Sequence, residues 1–148
     1  MTAPEFKIKR FNELSSLEVY QILQLRSAVF VVEQNCVYHD IDGKDQKALH
    51  VLGRYGDEMV AYARLFAPGD YFAHASIGRV VISGAFRDRK WGHELMRAAI
   101  AAVAAHFGTN TIEISAQQYL KAFYEAHGFR QTSDGYLEDD IPHIRMLR

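Results

Sequence analysis

Between Ile77 and Met96 the chain changes its apolar period, which asks for a layered fold. Ser76 to Ser83 reads as a strand. From Arg89 the pattern is helical, with Met96, Ile100, Val103 and Phe107 at i, i+4, i+7 and i+11, and Gly108 supplies the stop. A helix with so continuous an apolar stripe needs a sheet to lie on, and the alanines beside the stripe permit close packing.

The other elements follow in close order. Phe6 to Phe11 predicts an opening strand. Ser15 and Glu18 have the spacing of a capping box and start a helix whose apolar residues are Ile22, Leu25, Val29 and Val32. Asn35 to Lys47 is polar and rich in Asp, so it reads as a loop or broken helix and as a wall of a site. Leu49 to Tyr55 and Met59 to Phe66 are strands joined by a tight turn at Gly56 and Asp57. Thr111 to Ser115 is a short strand and Gln118 to His127 a helix ended by Gly128. Phe129 to Thr132 and Ile141 to Met146 are the last strands. The order β-α-β-β-β-α-β-α-β-β predicts a mixed sheet with helices on its faces, α/β or α+β by convention, and no simple doubly wound alternation.

A chain of 148 residues, 49% hydrophobic and 24% charged, is expected to form one domain, residues 1–148, around a packed core. Its formal charge of −1 provides no global field towards nucleic acid or an anionic membrane, so an anion site must be local. Cys36 is the only cysteine, which excludes an intramolecular disulfide and fits a reducing cytoplasm. The start, MTAPEFKIKRF, lacks the apolar core of a signal peptide. The most apolar later run, Leu95 to Val103, is interrupted by Arg97, so no membrane segment is expected.

The local anion site is the turn into the long helix. A helix N-terminus offers unpaired N–H groups and the positive end of the dipole, worth roughly 0.3–1 kcal/mol for a nearby anion. Arg87, Arg89 and Lys90 add charge-assisted contacts. On charge alone, the same residues also read as a solvated helix start.

The order of residues here resembles motif A of the GNAT superfamily of N-acetyltransferases, Arg/Gln-x-x-Gly-x-Gly/Ala. Arg87 stands in the first place, Lys90 where the first glycine usually stands, and Gly92 in the second. Together with LRSAVFVVEQ (Leu25 to Gln34) and YLEDDIPHIRM (Tyr136 to Met146), the segment is similar to the ElaA-like branch of that family, over nearly the whole chain. KAFYEAHGF, Lys121 to Phe129, resembles GNAT motif B. The resemblance implies a mostly antiparallel central sheet with helices on both faces and acetyl-CoA as acetyl donor. It places the cofactor on Val80, Val81 and Ile82 of the strand and on Arg87, Asp88, Arg89, Lys90, Trp91, Gly92 and His93 of the turn. Lys90 introduces a Cβ and a long side chain beside backbone that must approach the pyrophosphate.

The chemistry the resemblance implies is attack of a neutral amine on the acetyl thioester, with main-chain N–H groups holding the oxyanion. Tyr124 occupies the motif B tyrosine position, whose phenol protonates the departing thiolate; the alternative is a core aromatic beside Phe123 and Phe129. A lysine-like amine of pKa about 10.4 must lose a proton at a cost on the order of 4 kcal/mol. Glu33, His74, Glu113 and His143 are candidate bases, and His143 is the one selected. Glu33 and Gln34 either line the acceptor pocket or anchor the loop after them. The acceptor is a small-molecule or peptide amine, and pairing of two protomers through their sheets is a further option.

Other readings use other residues. His39, Asp40, Asp42, Asp45 and His50 are metal-ligand types, but no HExxH or paired-cysteine spacing accompanies them, and no metal is expected. Cys36 as a nucleophile competes with Cys36 as a packing residue. A non-catalytic CoA-binding or interaction module of the same fold is the alternative that Lys90 keeps open.

Overall fold

The long helix is the main core surface of the molecule. In the computed structural model, which describes residues 3–148, it runs Trp91–Phe107 (α2) and buries Leu95, Met96, Ala99, Ala102 and Val103. Ile100 and Phe107 of the expected stripe are only partly buried at its edge. Each fully buried Leu or Met contributes about 1.5–3 kcal/mol. Gly108 ends α2 at φ 67, a left-handed conformation that glycine adopts without a Cβ clash.

The strands are β1 (Glu5–Arg10), β2 (Leu49–Tyr55), β3 (Glu58–Phe66), β4 (Ala75–Ile82), β5 (Ile112–Gln117), β6 (Arg130–Gln131), β7 (Tyr136–Glu138) and β8 (Ile141–Leu147). They form one sheet in the order β1-β2-β3-β4-β5-β8-β6, with β7 also on β8. Every pairing is antiparallel except that of β4 with β5. α2 covers one face. The other is covered by α1 (Ser16–Arg26), whose Ile22 and Leu25 pack with Val29 against Leu52, Tyr62 and Val81. Fold class and the antiparallel character are as expected, and the capping box forms with Glu18 N–H donating to Ser15 Oγ at 3.1 Å.

Three expectations need correction. Val32 is 73% exposed, because the backbone after α1 widens into a π-helix over Ser27–Glu33 and shifts the phase of the apolar positions. The helix expected over Gln118–His127 is a 3₁₀ turn, Gln118–Leu120, followed by a short α3, Lys121–Glu125. β7 was hidden because its two-residue turn to β8 is Asp139-Asp140, at φ 50 and 63; such a turn normally carries Asn-Gly.

β4 and β5 pair only at Ala75↔Ile112 and Ser76↔Glu113. Opposite β3, Tyr62 pairs with Val81 but Arg64 with Gly78, so β4 holds one extra residue between these pairs. Arg79 lies inside this bulge at φ 51. A bulged strand bends and twists, and this bulge lies in the stretch of β4 after Ser76 that has no β5 partner.

The Asp-rich loop before β2 locks this region. Arg26, with no exposed surface, donates Nε to Asp40 Oδ2 at 3.0 Å and Nη1 to Asp45 Oδ1 at 2.8 Å. Arg64 of β3 donates Nη1 to the same Asp45 oxygen at 2.9 Å and Nη2 to Asp42 Oδ2 at 2.9 Å. Asp40, Asp42 and Asp45 are thus partners of arginines, and among the described residues no three His, Cys, Asp or Glu side chains are grouped as a metal would need.

Breaking one partner of a buried ion pair costs about 3–5 kcal/mol because the other charge is left uncompensated. Arg26→Met, which keeps much of the volume, is therefore expected to lower unfolding free energy by about that amount in urea titrations. Burial opposes ionisation of Asp42, yet the hydrogen bonds and charge of Arg64 outweigh it and pull its pKa from 3.8 to about 2. The depressed value makes this contribution complete above the unfolded pKa. Stability is expected to fall as pH drops from about 4 to about 2, and Asp42→Asn to flatten that part of the acid-unfolding curve.

Candidate active site

Where β4 leaves β5, a trough opens that has two lobes. The first, of about 530 Å³, lies between β4 and the first turn of α2, with α1's π-helical extension and α3 as walls. The second, of about 120 Å³, lies between β4, β5 and the β7–β8 hairpin. Phe30, Gln34, Val80, Leu120 and Tyr124 line both. On the side facing the gap, the main chain of β4 beyond Ser76 has no β5 partner, and unpaired backbone groups seek a substitute. Val80, Val81 and Ile82 sit there, in the first lobe. The Val81 side chain itself is core on the α1 face.

The basic turn also borders the first lobe. Gly84–Arg89 is a 3₁₀ turn, Lys90 follows at φ 60, and α2 starts at Trp91 with no side-chain cap on its first N–H groups. Lys90 thus adopts the left-handed conformation for which motif A usually supplies glycine, and its side chain is exposed. Gly92 sits close under the Phe123 ring, and a Cβ there would lie 3.3 Å from its Cε1, a tight contact that the ring would have to relieve by a few tenths of an ångström. Arg87, Lys90, Gly92 and His93 line the lobe. His93 Nδ1 is 2.8 Å from His127 Nε2; burial first and His93 second push the His127 pKa down.

Other expected cofactor residues are placed differently. The Trp91 side chain is buried against Tyr55 and Phe86, and the Arg89 guanidinium lies 4.9 Å from the Phe86 ring and 5.4 Å from the Trp91 ring. Neither these two nor the exposed Asp88 lines the trough. Glu33 faces the turn: Arg87 grips its carboxylate bidentately, with Nη2 donating to Oε1 at 2.8 Å, and these hydrogen bonds hold the Glu33 pKa below the usual range. Gln34 accepts from Gln117 Nε2 across the trough at 3.4 Å.

Tyr124 is 7% exposed, and burial pushes its phenol well above the ordinary value, so it stays protonated. Among the described residues its hydroxyl has no hydrogen-bond partner, yet it is not sealed from the cleft. His143 lies in the second lobe, with Nδ1 2.6 Å from the Ile141 carbonyl and Nε2 3.4 Å from Glu138 Oε2. Donation from Nδ1–H leaves Nε2 as the acceptor of a neutral ring. His74 and Glu113, the other candidate bases, pair with each other at 3.2 Å and line neither lobe. Cys36 is half-buried and donates Sγ–H to the Asp139 carbonyl at 3.4 Å. Sequence reasoning missed Arg79, Ser115 and Glu138. Gly78, an isolated glycine inside a strand, was the available signal for the bulge at Arg79.

A left-handed non-glycine residue costs about 1–2 kcal/mol, and a glycine loosens the unfolded chain by about 0.4–1 kcal/mol. Lys90→Gly is therefore expected to raise unfolding free energy by about 0.5–1 kcal/mol, whereas Lys90→Ala gives no such gain; urea midpoints of the two variants decide this.

A family model described as an acetyltransferase (GNAT) domain matches residues 14–148. Protein ElaA of Escherichia coli strain K12 is 43% identical over 146 residues, covering 97% of this chain and 95% of that protein. The crystal structure of E. coli ElaA is similar with a TM-score of 0.92 at 42% identity, covering 98% of this chain and 99% of that one. The crystal structure of an acyl-CoA N-acyltransferase from Pseudomonas aeruginosa also has a TM-score of 0.92, at 39% identity over 99% of each chain. With both motifs on the walls of one trough, the chain belongs to the GNAT acetyltransferase family, on its ElaA-like branch.

Proposed function

We propose that this protein transfers the acetyl group of acetyl-CoA to a primary amine by direct attack on the thioester. The family and fold support acyl transfer from CoA to an amine. The observation that carries the finer reading is that Tyr124 stands between the two lobes, one bordered by an uncapped helix start and unpaired strand edge, the other holding a histidine.

In this reading the first lobe takes the donor. The main chain of Val80, Val81 and Ile82 hydrogen-bonds the pantetheine amides and polarises the carbonyl, while the N–H groups of Trp91 and Gly92 receive the pyrophosphate, that of His93 donating to the Lys90 carbonyl at 3.3 Å. Arg87 reaches the phosphates by exchanging or sharing its Glu33 partner. Lys90, Arg89 and Asp88 lie further along the turn, towards solvent or the Tyr55–Phe86–Trp91 cluster.

The acceptor enters the second lobe. The nitrogen lone pair forms the C–N bond as the C–S bond breaks. His143 Nε2 takes the proton the amine releases, and Tyr124 delivers its own to the departing sulfur. Solvent then resets both residues, so the sum is amine plus thioester to amide plus free thiol.

Calorimetric titration of acetyl-CoA, with CoA for comparison, and an amine screen test this. A correctly placed general acid contributes about 10²–10⁴. Tyr124→Phe is expected to lower kcat by about 10²-fold while the acetyl-CoA Kd stays within about twofold. Saturable binding with no amine turned over would instead support a non-catalytic CoA-binding module. Absence of binding at millimolar cofactor would remove both readings.

A further inference from the structure

We propose that the second lobe selects an acceptor carrying a second cationic group, a short diamine, and that Glu138 is the residue that reads that charge. This rests on the acyl-transfer reading of the same trough and adds to it the chemistry of the acceptor.

The lobe's polar lining carries negative charge. Glu138 and Asp139 both border it, while its cation, Arg79, is already committed: Nε is 2.9 Å from Asp40 Oδ1 and Nη2 3.4 Å from Asp42 Oδ2. The Arg79 guanidinium also lies 5.5 Å from the Tyr38 ring centre. Among the described residues, a carboxylate-bearing acceptor would find no uncommitted cation lining this lobe.

Glu138 is held as an anchor. Ser115 Oγ donates to Oε1 at 3.2 Å, and Ser115 is itself 2.5 Å from the Tyr136 hydroxyl. Oε2 faces His143, whose side chain is 8% exposed and whose Nε2 lies 3.4 Å away. The turn after Glu138 is fixed by two left-handed aspartates and by the Cys36 thiol on the Asp139 carbonyl. An ammonium on Oε2 thus lies beside the group that accepts the proton of the reacting amine.

Size and apolar lining agree with this. The lobe, about 120 Å³ against about 530 Å³ for the first, is the smaller of the two and suits a small acceptor. Phe30, Ile114, Leu120 and Ile141 offer apolar surface to its methylenes.

The test compares kcat/KM for 1,4-diaminobutane, n-butylamine and 4-aminobutanoate with acetyl-CoA at low ionic strength. The diamine is expected to exceed n-butylamine about tenfold or more, the amino acid to be the poorest, and added salt to shrink the first ratio. Glu138→Gln, which can still accept from Ser115, is expected to bring the diamine-to-butylamine ratio close to unity; Glu138→Asp keeps part of it. A role confined to supporting His143 would slow both amines alike and leave the ratio standing. A wild-type ratio near unity, or one that survives Glu138→Gln with an unchanged melting temperature, overturns the proposal. So does absence of turnover with all three amines; acetylation of a peptide amine in the same assay would then keep the acyl-transfer reading while removing this one.

Discussion

The site depends on the departure of β4 from β5 beyond Ser76, and the Arg79 bulge lies within that departed stretch. A non-glycine residue at φ 51 is strained by about 1–3 kcal/mol and persists only where its surroundings over-determine it. Here they do. The Arg79 guanidinium is tied to Asp40 and Asp42, those acids are tied to Arg26 and Arg64, and the two arginines are almost fully buried in α1 and β3. The bulge stands in the stretch of β4 beyond Ser76 that has no β5 partner, and Arg79 and Val80 line the trough there.

Burying so much charge is costly unless it is paired and hydrogen-bonded, and replacing an entire buried ionic network by well-packed apolar residues is often neutral or stabilising, whereas removing one member is not. The network's gain here is register. The network joins a helix, a loop, a central strand and the bulge, so the loop that carries Cys36 and Tyr38 reaches the second lobe at a fixed height. The π-helical end of α1 adds to this by putting Glu33 on the donor turn and Gln34 opposite Gln117. One helix terminus therefore contacts both halves of the site.

What could be read from the sequence was local. The Ser15–Glu18 cap, the Gly56 hairpin turn and the stop at Gly108 are each decided within a few residues, and each is where it was expected. The donor turn was legible for the same reason, because motif A is one strand-turn-helix passage. Features set by distant partners were not. Val32 lost its place in the apolar stripe to a change of helix type, β7 exists only because β8 lies beside it, and Glu138 enters the site through a turn whose aspartates give no glycine signal. His143 was selected from its motif context; its separation from His74 and Glu113 required the sheet.

Lys90 shows how one position can serve two demands that oppose each other. The turn needs a left-handed residue so that the backbone can pass from the 3₁₀ segment into α2, and glycine meets that need at the least cost. A lysine meets it with strain but puts a cation on the rim of the donor lobe, where Arg87 is neutralised by Glu33. With Arg89 lying over the Tyr55, Phe86 and Trp91 rings, Lys90 is the turn's cation that faces the lobe without an opposing carboxylate bonded to it among the described residues. The departure from the family's glycine thus exchanges backbone ease for a cation at the rim of the first lobe, where the proposed reading brings the donor's phosphates.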